Sequence, residues 1–127
     1  MIQNRYIIFN TRDELLRLDW PKVAYMEGDG NYTHIVLTNK LKTTICMNLS
    51  DMQKLISGSL KERAAIFARI GKRHIVNTRY IYRINPLRQV LTLTDGENFA
   101  FHLKISIEAL KQMKTIVLES VKNKIKK

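Results

Sequence analysis

Turn-forming residues cut this chain into segments too short for most folds. Gly28-Asp29-Gly30-Asn31 separates two apolar runs, residues 23–27 and 32–37. Glycine and asparagine tolerate the positive φ of a tight reversal, so the pair reads as a hairpin. The pattern recurs. Asp95-Gly96 divides residues 89–94 from 98–103 and has the chemistry of a type I′ turn. Asn39-Lys40 reads as a hairpin turn leading into residues 41–47. Residues 6–9, 66–70, 74–77 and 81–84 read as further strands, interrupted at Gly71-Lys72-Arg73 and followed by a turn at Asn85-Pro86-Leu87-Arg88. Residues 11–19 suit either a strand or a short turn of helix.

Side-chain alternation assigns faces to these strands. Tyr32, His34 and Val36 share one face; Thr33, Ile35 and Leu37 share the other. Phe99, Phe101 and Leu103 point to a core, and Ala100, His102 and Lys104 point outward.

Two longer stretches change to helical period. Leu49, Met52, Leu55 and Ile56 fall on one face, with Asn48 or Ser50 as cap, Asp51 in the first turn and Gly58 as the stop. Near the C-terminus, Leu110, Met113, Val117 and Val121 form an apolar stripe opposite Lys111, Lys114 and Lys122, and Ser106 is the cap. Residues 78–80 suit one helical turn, capped by Asn77. The fold class is therefore mainly β, with one short internal helix and a C-terminal helix. A length of 127 residues fits one domain spanning residues 1–127.

Charge narrows the choice of partner. Lys and Arg number 22 against 11 Asp and Glu, a net charge of +11. Such an excess repels itself and favours a polyanion, nucleic acid first and an anionic membrane surface second. The charge is also segregated. Lys61, Arg63, Arg69, Lys72, Arg73, Arg79, Arg83 and Arg88 are opposed within their stretch only by Glu62, and Lys122, Lys124, Lys126 and Lys127 form a second run.

Other classes find little support. The apolar runs are too short to span a bilayer, so no membrane partner is expected. The first ten residues lack a signal-peptide layout. One cysteine, Cys46, cannot form an internal disulfide; it reads as buried and inert, in keeping with a reducing, cytoplasmic setting. His34, His74 and His102 have no metal-ligand spacing, and Gly71-Lys72 is followed by Arg73 instead of the Ser or Thr of a phosphate loop. No catalytic constellation emerges, so neither an enzyme nor a cofactor is expected.

Several segments together resemble the LytTR family of DNA-binding domains. Residues 23–32 end in Glu27-Gly28-Asp29-Gly30-Asn31-Tyr32, like the family's strand, acidic residue, small-residue turn and Asn-Tyr. Residues 49–60 match its short helix. Phe67-Ala68-Arg69-Ile70-Gly71-Lys72-Arg73-His74-Ile75-Val76-Asn77 is similar to its Phe-x-Arg-x-His-Arg-Ser-Tyr-Ile-Val-Asn. The later hairpin, basic loop and helix follow in the family's order, and the likeness is strongest over residues 22–114.

The resemblance implies an elongated antiparallel β fold that reads double-stranded DNA through loops between strands and acts as a transcription regulator. Its three contact loops correspond here to residues 31–34, 71–73 and 102–106. Lys72 and Arg73 are the favoured contacts, and Arg73 is the better bidentate reader. Asn31 serves the turn, a base contact, or both. Thr33 and His34 point to opposite faces, and one of them is the groove contact. Arg69 either reaches a phosphate or pairs with an acid such as Glu27. Lys104 is a third-loop contact; His102 is a base or phosphate partner or a solvated histidine. Arg79, Arg83 and Arg88 are flanking phosphate contacts or a solvated face. His74 reads as packed and Tyr32 as a half-buried aromatic.

The departures from the family are specific. Its usual histidine is Gly71, its usual serine is Arg73, and its usual Ser-Arg near the third loop is His102-Leu103-Lys104. Base preference therefore does not transfer. The residues before Lys22 are too few for the receiver domain that often precedes such modules, which leaves a stand-alone regulator or a fragment. Paired DNA repeats and dimerisation on DNA are further expectations. The competing readings are a general nucleic-acid binder, RNA included, and an interaction or membrane-surface module using the basic C-terminal helix.

Overall fold

A computed structural model describes residues 5–125, and their side chains as far as Val121. The basic run of Lys122, Lys124, Lys126 and Lys127 therefore lies outside the described side chains. In chain order the elements are β1 (Tyr6–Asn10), β2 (Leu15–Asp19), β3 (Val23–Asp29), β4 (Tyr32–Leu37) and β5 (Lys42–Ile45). Then come α1 (Leu49–Leu60), β6 (Phe67–Ile70), β7 (His74–Asn77), β8 (Ile81–Asn85), β9 (Val90–Thr94), β10 (Ala100–Lys104) and α2 (Ile107–Ile125). Residues 11–19 resolve as a turn and strand, with β2 paired to β1.

All the pairings are antiparallel. The central sheet has the order β5-β4-β3-β7-β6, and a second sheet has the order β10-β9-β8. Apolar packing covers both faces of the central sheet. On one face, Val23, Met26, Ile35 and Ile75 pack with Leu49, Met52 and Ile56 of α1 and with Ile7 and Leu18 of the β1–β2 hairpin. On the other, Ala24, Ile70 and Val76 pack with Leu91, Leu93 and Leu103 of the second sheet and Leu110 and Met113 of α2. This double burial explains why β3 opens as a continuous apolar run instead of an alternating one.

Asn77 ties the two layers together. It is fully buried; its Nδ2 donates to the Val23 carbonyl at 3.0 Å and its Oδ1 accepts from the Arg79 amide at 3.0 Å. The second bond caps the 3-10 turn Thr78–Tyr80, which carries the chain into β8.

Three local expectations are corrected. Helix α1 does not stop at Gly58 but runs to Leu60 and ends where Lys61 takes φ 56°. Gly58 is exposed within the helix and costs about 1 kcal/mol there, while burial of Ile56 and Leu60 on either side of it carries the helix through. Between β9 and β10, Gly96 has φ 86° but Asp95 has no positive φ, so the turn is not type I′. The Asp95 carboxylate instead accepts from the amides of Glu97, Asn98 and Phe99, which holds its pKa down at about 2. Cys46 lies beyond the end of β5 and is exposed, not buried. Asn48, of the two cap candidates, caps α1 by accepting from the Asp51 amide at 2.8 Å.

Candidate nucleic-acid interface

β3 sits between β4 and β7, and this places two turns side by side. Glu27 is in register with His34 on β4 and with His74 on β7. The β3–β4 turn at Gly30-Asn31 and the β6–β7 turn at Gly71-Lys72-Arg73 therefore share one end of the sheet. A backbone bond from the Gly28 amide to the Arg73 carbonyl, 2.8 Å, joins them. Gly28 has a further role: a Cβ here would lie 3.1 Å from the Leu49 Cβ, so its absence lets α1 start close against the turn. Gly71 takes φ 65° beside Ala109 of α2, a conformation few side chains adopt, and this brings the basic turn against the helix.

The third loop joins the same region. The Ile105 amide donates to the Gln89 carbonyl at 3.0 Å, fixing the β10–α2 connection. The Ser106 hydroxyl accepts from the Ala109 amide at 3.2 Å and caps α2. Loops two and three line one open cleft of about 450 Å³, with Lys72 and Arg73 on one side and Lys104 and Ser106 on the other. A neighbouring cleft of about 420 Å³ lies between the first two turns and the start of α1, lined by Asn48, Ser50, Arg69, Lys72 and Arg73 among others. A third, about 490 Å³, brings Arg73 and His74 to His102 and Lys104. Arg73 lines all three.

The candidate residues separate by their contacts. Asn31, Lys72, Arg73, His102 and Lys104 are exposed. Arg73 Nη2 lies 3.6 Å from Glu27 Oε2. Arg69 does not pair with Glu27. Its Nη1 donates to Ser50 Oγ at 3.1 Å and Gln53 Oε1 at 3.3 Å, and its Nη2 donates to the Lys72 carbonyl at 2.8 Å. It braces the basic turn against α1. His34 is partly exposed, with Nδ1 2.8 Å from Thr44 Oγ1 and Nε2 3.2 Å from Asp29 Oδ2. His102 Nδ1 lies 3.1 Å from Thr92 Oγ1.

Thr33 separates from this set. It is fully buried and its hydroxyl donates to the Met47 carbonyl at 2.7 Å. The pleat turns it toward the core, so of the pair it is His34 that faces outward. Arg79 stands over the Trp20 ring at 5.5 Å, a packing contact away from the three clefts. His74 is half-enclosed, and burial lowers its pKa against the opposing pull of Glu27. Sequence reasoning missed Asn48, Ser50 and Gln53 as neighbours of the basic turn; they meet it only through the packing of α1.

Among the described residues, no group of three or more His, Cys, Asp and Glu side chains could hold a metal ion. No helix in that range is long and apolar enough to cross a membrane.

Comparison with known proteins matches residues 13–117 to a family model described as the LytTr DNA-binding domain. Among solved structures, the fold is similar to a LytTr DNA-binding domain of a methyl-accepting/DNA response regulator, so described, from Bacillus cereus. The TM-score is 0.60 at 19% identity, over 91% of this chain and 98% of that one. No curated protein matches the sequence.

Proposed function

The chain belongs to the LytTR family of DNA-binding domains, and on that premise we propose that it binds double-stranded DNA sequence-specifically and regulates transcription. The observation that carries this reading is the convergence of three turns on clefts that share Arg73, with Lys72 and Lys104 beside it. Turns projecting from a doubly packed sheet are rigid enough to read base edges, and their cations supply the phosphate attraction that sets the register.

In this reading Arg73 makes the bidentate contact with a guanine edge, and Lys72 contacts a base or phosphate. Asn31 and His34 present the first turn to the groove. His102 and Lys104 extend the contact at the third loop. Arg69 contributes by fixing the shape of the β6–β7 turn. Thr33, being buried, leaves the first-turn contact to its neighbours. Two copies on paired repeats would join two such surfaces along one duplex.

The test is fluorescence anisotropy of a labelled duplex over a range of salt concentrations. Affinity falls linearly with salt on logarithmic axes as counterions are released. A flat response would contradict a phosphate-dominated interface.

A further inference from the structure

The outer face of the β8–β10 sheet carries cations that the three loops do not use. The pairings align Arg83, Thr92 and His102 across the sheet in one row, and Asn85, Val90 and Lys104 in the next. Leu91, Leu93 and Leu103 turn inward, so these rows form the face away from the core. Arg83 and Arg88 are exposed and share an open cleft of about 410 Å³ with Asn85, Val90, Thr92 and His102. No carboxylate lines it. The Arg83 guanidinium lies 5.9 Å from the Tyr82 ring centroid, a contact with the ring that takes no N–H donor. The Asn85 side-chain oxygen accepts from the Arg88 amide at 3.1 Å and shapes the turn that presents Arg88.

This cleft is continuous with the loop surface. His102 lines both it and the cleft of Arg73 and Lys104. Two strand spacings separate β10 from β8, about 10 Å, comparable with the width of a major groove. We infer that Arg83 and Arg88 form a clamp for duplex backbone phosphates on the rim beyond the third loop. This rests on the DNA-binding reading above and extends it. The clamp sets register and affinity without reading bases.

The test measures the salt dependence of duplex binding by the full chain, alongside Arg83→Ala/Arg88→Ala, Arg83→Gln/Arg88→Gln and the charge control Arg12→Ala. Each lost phosphate contact reduces the logarithmic slope by about 0.9, so both double variants are expected to flatten it by about 2. The ratio of affinities for a duplex enriched by the wild type from a random library and for its scrambled counterpart stays unchanged, and Arg12→Ala keeps the wild-type slope. The glutamine pair retains side-chain bulk, so it carries the test even if the alanine pair fails to fold by circular dichroism. A wild-type slope in either folded double variant overturns the clamp while leaving the loop reading intact. A wild-type protein that binds no duplex overturns both.

Discussion

Arg73 reaches back from the exposed β6–β7 turn to Glu27 of β3, with Nη2 3.6 Å from Oε2. In the proposed interface this carboxylate holds the guanidinium and competes with DNA for it. Glu27→Gln removes the competing charge and the tether together. The expected result is a rise in affinity for a scrambled duplex, roughly fivefold, the upper range for an exposed ion pair. Discrimination between selected and scrambled duplexes falls. Competitive anisotropy with both duplexes checks the pair of effects.

In the proposed interface Arg69 acts through the turn it braces. Arg69→Ala loses bonds to Ser50, Gln53 and the Lys72 carbonyl. Duplex affinity is expected to fall about tenfold, the equivalent of one charge-assisted hydrogen bond. Hydrogen exchange of the amides in residues 71–73 should quicken in the same variant. Lost affinity with unchanged exchange would point to a direct phosphate contact instead.

Asn77 is structural. Asn77→Ala removes the side chain that the buried Val23 carbonyl and the part-buried Arg79 amide bond to. A loss of about 2–3 kcal/mol in urea unfolding is expected. Affinity extrapolated to the folded fraction should be unchanged.

Acid should weaken the fold through His74. Burial lowers its pKa below the ordinary 6.5, with Glu27 opposing and Arg73 reinforcing the shift. The folded state holds the ring neutral, whereas the unfolded chain takes up the proton more readily. The stabilisation is therefore complete above about pH 6.5 and is lost as pH falls toward the depressed folded value. Urea midpoints at pH 7.5 and pH 5.5 should differ more for the wild type than for His74→Asn.

The parts of the fold legible in the sequence were those fixed by local chemistry. The Gly28-to-Asn31 turn, a cap for α1 at Asn48 or Ser50 and the inward Phe99 and Leu103 depend on neighbours a few residues away. Gly58 and Asp95-Gly96 carry stop and turn signals that their surroundings override. Packing carried α1 past the first, and the Asp95 carboxylate built its own loop at the second. Cys46 follows an apolar run and so reads as buried, but β5 ends at Ile45, one residue before it. At the candidate site, the basic turn at Lys72-Arg73 was legible as a charge pair at a polar break. That His34 and not Thr33 faces outward depends on which pleat faces α1, and two of Arg69's three partners, Gln53 and Ser50, lie 16 and 19 residues away, where no local pattern could reveal them.

Selection from a random duplex library, run in parallel with the wild type and Lys72→Ala/Arg73→Ala, tests the central claim most directly. The wild type is expected to enrich a defined motif. The double variant, with an intact circular dichroism spectrum, should enrich none. No enrichment by the folded wild type, or the same motif from the variant, would contradict sequence reading by this turn.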